Sequence, residues 1–191
     1  MAQLLQTNTD QRVVLKGRWE KFKLIQRASE DSPGVRLAYY DETIEILMPG
    51  EAHEFFAHVI GYLLTTFFLE KGILFKSTGA KTQEQEGKVS VQADQSYCIG
   101  DSKPIPDLSI KVVFSSGSPE LVRYQALGAP EVWFWEDGVF ALYRLREDGY
   151  ERIEQSELPG LNQLDLDLLR RCILMAETDF QAAVRMFRQS L

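Results

Sequence analysis

Apolar positions recur at two different periods along the chain, and the change of period divides it into helices and strands. Residues 18–29 set Trp19, Phe22, Ile25 and Gln26 at helical spacing before Ser32-Pro33-Gly34 stops the pattern, predicting an amphipathic helix after a short apolar run at 13–15. Residues 35–40 and 43–48 carry β-branched, aromatic and aliphatic side chains on either side of Asp41-Glu42. That arrangement reads as a hairpin, closed by Pro49-Gly50. Over 52–71 the apolar residues come in pairs, Phe55-Phe56, Val59-Ile60, Leu63-Leu64 and Phe67-Phe68. A stripe that wide predicts a helix buried across a sheet.

From residue 73 the period becomes two. Extended segments are predicted at 73–77, 89–99 and 106–114, separated by Gly87 and by Gly100-Asp101-Ser102, and they form the sheet centre. Ser118-Pro119 supplies a cap and a first-turn proline, and Gly128 a stop, for a short helix over 119–127. A strand at 131–135 follows, then strands at 139–145 and 150–153 around Asp148-Gly149, then a helical tail over 164–191. Alternation places Trp133 and Trp135 on one face and Phe134 on the other, so this aromatic run is assigned to packing. With 191 residues, 45% hydrophobic and 26% charged, the chain has the make-up of one globular α/β domain.

Charge and cysteine usage narrow the function. A net charge of -7 argues against a grip on phosphate backbones spread over the whole surface, but leaves open a local site that recruits a cation. Cys98 and Cys172 match no ligand spacing and build no disulfide framework, and the polar first ten residues lack the basic and apolar regions of a leader. A cytoplasmic protein is expected. The apolar stretch at 55–69 is shorter than the roughly 20 residues of a bilayer span, so no membrane partner is expected.

Few residues carry a pattern of chemistry. His53 and His58 are one residue further apart than the zinc-protease spacing, so their rings point about 140° apart on a helix and cannot share an ion. His58 falls with Glu54 and Thr65 on the polar strip. His53 falls with Phe56, Ile60 and Leu64 on the covered arc, where a hydrogen-bonded histidine is the plainer expectation. No phosphate loop or nucleophile elbow is present, since Gly117 and Gly128 are isolated and Ser115-Ser116 has no histidine base nearby. What remains is a group of charges on consecutive elements. Asp107, Ser109 and Lys111 share one face of a strand whose other face is Leu108, Ile110 and Val112. A lysine in a core-like strand needs an acidic partner. Asp94 on the preceding strand and Glu120 in the following helix can both reach it. The same residues also fit a structural reading, in which Asp107 caps a turn, Glu120 complements a helix dipole and Lys111 forms a stabilising pair.

Three segments appear in a familiar order: Gln92-Ala93-Asp94-Gln95-Ser96-Tyr97-Cys98-Ile99, then Pro106-Asp107-Leu108-Ser109-Ile110-Lys111-Val112-Val113, then Arg123-Tyr124-Gln125-Ala126-Leu127-Gly128-Ala129-Pro130-Glu131-Val132-Trp133-Phe134-Trp135. In this order the chain resembles the Uma-type family of putative restriction endonucleases. The likeness runs over about 13–171 and takes in His53-Glu54 and Leu158-Pro159-Gly160-Leu161. It implies a restriction-endonuclease-like PD-(D/E)XK fold, a central mixed β-sheet flanked by helices, with nucleic acid, DNA first, as substrate and Mg²⁺ or Mn²⁺ as cofactor. Carried over, the family aspartates fall on Asp94 and Asp107, its glutamate on Lys111, and its lysine at or beside Glu120. The last two charges are exchanged in this chain. The resemblance therefore implies metal ligation by Asp94, Asp107 and Glu120, with Lys111 and His53 completing the site. Two readings follow: a divalent-metal endonuclease, or a catalytically silent relative that binds nucleic acid or a protein partner through the same cleft. A homodimer buried through the hairpin around Asp148 and the apolar C-terminal face of Phe180, Val184 and Phe187 is a further expectation, set against a last helix that packs on its own domain.

Overall fold

A computed structural model describes residues 9–114 and 120–191. The cap at Ser118-Pro119, Ser115-Ser116, Gly117 and most of the polar N-terminal start lie outside the described residues. Among the described residues, two sheets and five α-helices make an α/β arrangement. The first sheet, ordered β1-β3-β2-β6-β5, is antiparallel and joins β1 (Gln11–Lys16), β2 (Arg36–Tyr40), β3 (Thr43–Met48), β5 (Thr82–Gln85) and β6 (Val89–Gln92). The second, ordered β11-β10-β9-β8-β7-β4, is mixed. It contains β4 (Phe75–Ser77), β7 (Gln95–Ile99), β8 (Leu108–Val113), β9 (Glu131–Glu136), β10 (Val139–Arg146) and β11 (Gly149–Ile153), and its one parallel pair is β8 with β9.

The helix α3 (Leu121–Leu127) makes the crossover between β8 and β9 that a parallel pair requires, and Gly128 ends it in the left-handed conformation. The β2–β3 turn is tight enough to hold both Asp41 (φ 46°) and Glu42 (φ 52°) in the left-handed region, as a two-residue hairpin demands.

Alternation along β8 and β9 feeds two cores. Leu108, Ile110, Val112, Trp133 and Trp135 pack under α2 (Glu51–Glu70), α4 (Leu166–Ala176) and α5 (Phe180–Gln189), whereas Val113, Val132 and Phe134 join Val89, Val91 and Tyr124 on the opposite face. The helix α1 (Trp19–Ala28) covers the first sheet through Phe22 against Leu37, Tyr39 and Ile44.

Several expectations change. The segment 89–99 is two strands rather than one, because the chain leaves the first sheet after Gln92 and enters the second at Gln95. The polar strand β5 carried no apolar alternation to announce it. The helix α2 is 20 residues long and apolar enough to cross a membrane by length and composition, longer than the apolar stretch suggested, but half of that window is buried in the fold. The face of α5 offered to a partner is occupied within the chain: Phe187 is fully buried, and Phe180 and Val184 pack against the main core. The two cysteines are free and buried.

Candidate functional site

The site begins where the chain changes sheets. Ala93-Asp94 belongs to neither β6 nor β7, yet Asp94 continues the ladder to β8: its N–H donates to Ile110 O (2.9 Å), and its Oδ2 accepts from Val112 N (2.7 Å). A side-chain carboxylate thus takes over a backbone acceptor's role at the point where the strand ends. The carboxylate is wholly buried, and Lys111, on the β8 face turned toward the first sheet, donates to Oδ1 from 3.1 Å. Arg36, the first residue of β2, also pairs with Oδ1. His53 comes from the first turns of α2, and its Nε2 lies 3.0 Å from Oδ2.

The strand β7 is held close to α2 by Gly61. A Cβ there would meet Gln95 at 2.8 Å, and the amide of Gln95 donates to Ala57 O (3.2 Å).

Around Asp94 the charges interlock. Arg36 Nη2 donates to Glu54 Oε1 (2.6 Å), and its Nη1 lies 3.1 Å from His53 Nε2. The other nitrogen, His53 Nδ1, faces Asp10 Oδ2 (2.9 Å), while Asp10 Oδ1 accepts from Gly50 N (2.8 Å). Burial lowers the His53 pKa despite the opposing pull of Asp10. For Asp10 burial works upward, but the bonds from His53 and Gly50 prevail and its pKa is lowered. On β3, Glu45 Oε2 accepts from Arg12 (2.5 Å) and Arg123 (2.7 Å), and these cations outweigh burial to lower its pKa. Burial presses the Lys111 ammonium down to about 8 against the attraction of Glu120.

A cavity of about 310 Å³ opens beside this network, lined by Asp10, Arg12, Glu45, Lys111, Phe114 and Glu120 among others. A second, of about 20 Å³, continues behind Lys111 toward Arg36 and Arg123.

The structure therefore brings Asp94, Lys111 and His53 into contact and sets Glu120 on the cavity wall beside Lys111. Glu120 closes no ion pair with Lys111, whose partner is Asp94. Asp107 is not among these residues. Its Oδ2 accepts from Ile99 N (2.8 Å), and both its oxygens accept from Lys103 (2.8 and 2.6 Å), at the far end of β8, four residues or about 13 Å of strand from Lys111. The common cleft expected for Asp94, Asp107, Lys111 and Glu120 loses Asp107, because that carboxylate clamps a turn. His58 is exposed, with its ring stacked 6.1 Å from Phe180.

The sequence reading missed Asp10, Arg12, Arg36, Glu45 and Arg123. Glu45 gave the same signal as Lys111, a charge inside an apolar strand. Asp10 gave none.

The residues present do not fit a divalent ion. Each oxygen of Asp94 already faces protein nitrogens, and the described residues contain no group of three His, Cys, Asp or Glu side chains placed to ligate a metal. Mg²⁺ needs an octahedral oxygen shell with at least one or two carboxylates open to it.

Among curated proteins the comparison found no match. A solved structure, described as a putative nuclease belonging to DUF820 from Anabaena variabilis ATCC 29413, superposes with a TM-score of 0.54 at 13% identity, covering 72% of this chain and 90% of that one. At that identity the likeness shows the fold. The family model for Uma2, putative restriction endonuclease, matches residues 19–175, which contain Arg36, His53, Asp94, Lys111 and Glu120. With most of the chain matched and a nuclease-like fold around its buried aspartate, this protein belongs to the Uma2 family.

Proposed function

We propose that this chain is a nuclease-fold protein that engages nucleic acid through the cleft beside Lys111 without carrying out divalent-metal phosphodiester hydrolysis. The observation that carries the reading is the state of Asp94, whose oxygens are taken by Lys111, Arg36 and Val112 N. A carboxylate that already holds two buried cations and a backbone N–H would have to release one of the cations to take an ion. Binding is supported by the family's substrate class and by Arg12, the more exposed cation on the wall of a cavity that also carries Asp10, Glu45, Glu120 and apolar surface from Leu47 and Phe114. On a chain of net charge -7, contact with phosphates is local, so affinity falls with added salt by the few counterions displaced.

The second reading, an active endonuclease in which Asp94 and Glu120 hold the ion and Lys111 serves the phosphate, is favoured by Glu120 lining the same cavity as Lys111. One experiment separates the two. Single- and double-stranded DNA and RNA are incubated with the protein in Mg²⁺ or Mn²⁺, and binding is followed by fluorescence anisotropy at two salt concentrations. Salt-sensitive binding with intact strands is expected. Divalent-dependent cleavage that disappears in Asp94→Ala and Glu120→Ala would establish the enzyme instead.

A further inference from the structure

Phe114 follows β8 at the edge of the cleft. It lines the cavity of about 310 Å³ and is 50% exposed, whereas Leu47, Val112 and Val113 on the same wall are buried. A lone exposed phenylalanine is ordinary on a protein surface. This one is supported by other rings: His53 and Phe56 lie 6.1 and 6.5 Å from it between centroids, and Phe56 leans on Trp135 at 5.7 Å. The row continues to Phe55, edge-on to Phe56 at 5.5 Å, and Phe55 and Phe56 line a neighbouring surface cavity of about 330 Å³. An aromatic row thus leads out of the charged cleft.

Charge decides which part of a nucleic acid enters. Asp10, Glu45 and Glu120 line the cavity, and the cations beside them, Arg12 and Lys111, are already paired with Glu45 and Asp94. A phosphate seated inside would meet three carboxylates and two cations that are taken, so phosphates stay at the rim, where the Arg12 side chain is 37% exposed. A nucleobase carries no charge, offers a π-face to an aromatic ring, and bears amino groups that donate to carboxylates. The volume lies at the small end of ligand pockets, which run from about 300 to 1,000 Å³. It admits one base with its sugar and is too small for a stacked base pair.

We infer that Phe114 is a base-stacking residue and that the cleft takes one unpaired nucleobase, so that the nucleic acid this protein engages is single-stranded. The inference rests on the nucleic-acid reading of the cleft and narrows its substrate class. A duplex reaches the same seat only by turning a base out of its stack, a cost that a single strand avoids.

The test uses the full chain and fluorescence anisotropy in EDTA with three labelled probes of equal length: an oligothymidylate, an abasic oligomer that keeps the phosphates and lacks the bases, and the oligothymidylate paired with its complement. Wild type is expected to bind the single strand about 10-fold or more tightly than either of the others. Phe114→Ala should lose about 5-fold to 100-fold for the oligothymidylate, the worth of about one stacked base, with the abasic oligomer and the salt slope unchanged. Phe114→Leu keeps an apolar side chain without a π-face and should behave as the alanine variant does, whereas Phe114→Trp should bind at least as tightly as wild type. Melting temperatures of the leucine and tryptophan variants that match wild type separate the effect from a folding defect. Equal wild-type affinity for the oligothymidylate and the abasic oligomer, a duplex bound as tightly as the single strand, or a Phe114→Leu variant that binds as wild type does overturns the stacking inference, and salt-sensitive binding leaves the functional reading standing. Absence of salt-sensitive binding to all three probes overturns the functional reading, and the inference falls with it.

Discussion

Asp94 and Asp107 perform the same backbone task at opposite ends of one ladder. Each uses a carboxylate oxygen to accept a strand N–H, Asp94 from Val112 and Asp107 from Ile99. The resemblance to the family assigns both to one site. Their surroundings separate them: Asp107 is completed by Lys103, whose side chain is 44% exposed, while Asp94 is completed by Lys111 and Arg36 at 6% and 10%. The first is a turn clamp in contact with water, and the second is the centre of a buried charge network beside a cavity.

Replacing each acid with its amide tests that difference most severely. Asp94→Asn leaves Lys111 and Arg36 buried without their carboxylate and is expected to cost about 3–5 kcal/mol in chemical denaturation. Asp107→Asn keeps an acceptor for Ile99 N and loses only a surface pair, at about 1 kcal/mol or less. Equal costs would erase the distinction. A smaller effect concerns the exchanged charges. Lys111→Glu crowds a new carboxylate against Asp94 and destabilises the fold, and adding Glu120→Lys should return about 1 kcal/mol of that loss as coupling across the cavity. Purely additive unfolding free energies in this cycle would show that Glu120 and Lys111 do not sense one another.

Acid sharpens the comparison from the other side of the cavity. Glu45 has its pKa lowered in the fold because Arg123 and Arg12 outweigh burial, so its contribution is present above the unfolded carboxylate value and is lost as pH falls through the lower folded value. Melting temperature should therefore fall less steeply on acidification below about pH 4.5 in Glu45→Gln than in wild type. An unchanged acid slope would contradict the ion pairs at Glu45. The smallest effect belongs to His58→Ala on the exposed strip of α2, expected within about 0.5 kcal/mol of wild type, in contrast to the buried His53.

What was legible in the sequence is what strict periodicity writes locally. The alternation of Asp107, Ser109 and Lys111 against Leu108, Ile110 and Val112 holds along β8, and the paired apolar residues of α2 mark a helix buried against the sheet. The hairpin 35–48 was equally plain, because two strands of the right composition flank a two-residue turn. The sheet change at Ala93-Asp94 was not legible. Residues on both sides are strand formers, and only the partner strands, distant in sequence, decide where one ladder stops. The identity of Lys111's partner was half legible: an acid was required, but Asp94 and Glu120 were equal candidates until the ladder geometry selected Asp94. Arg36, Glu45 and Asp10 reach the network from β2, β3 and the start of the chain, and no local pattern ties those positions to residue 94.

The central claim is that the Asp94 carboxylate is satisfied by protein donors and leaves no seat for a divalent ion. Titration of the full wild-type chain with Mn²⁺, followed by electron paramagnetic resonance of the free ion, measures this directly. The account predicts no stoichiometric depletion of free Mn²⁺ at micromolar concentrations, and the same curve for Asp94→Ala. Binding of one Mn²⁺ per chain that Asp94→Ala abolishes would contradict it.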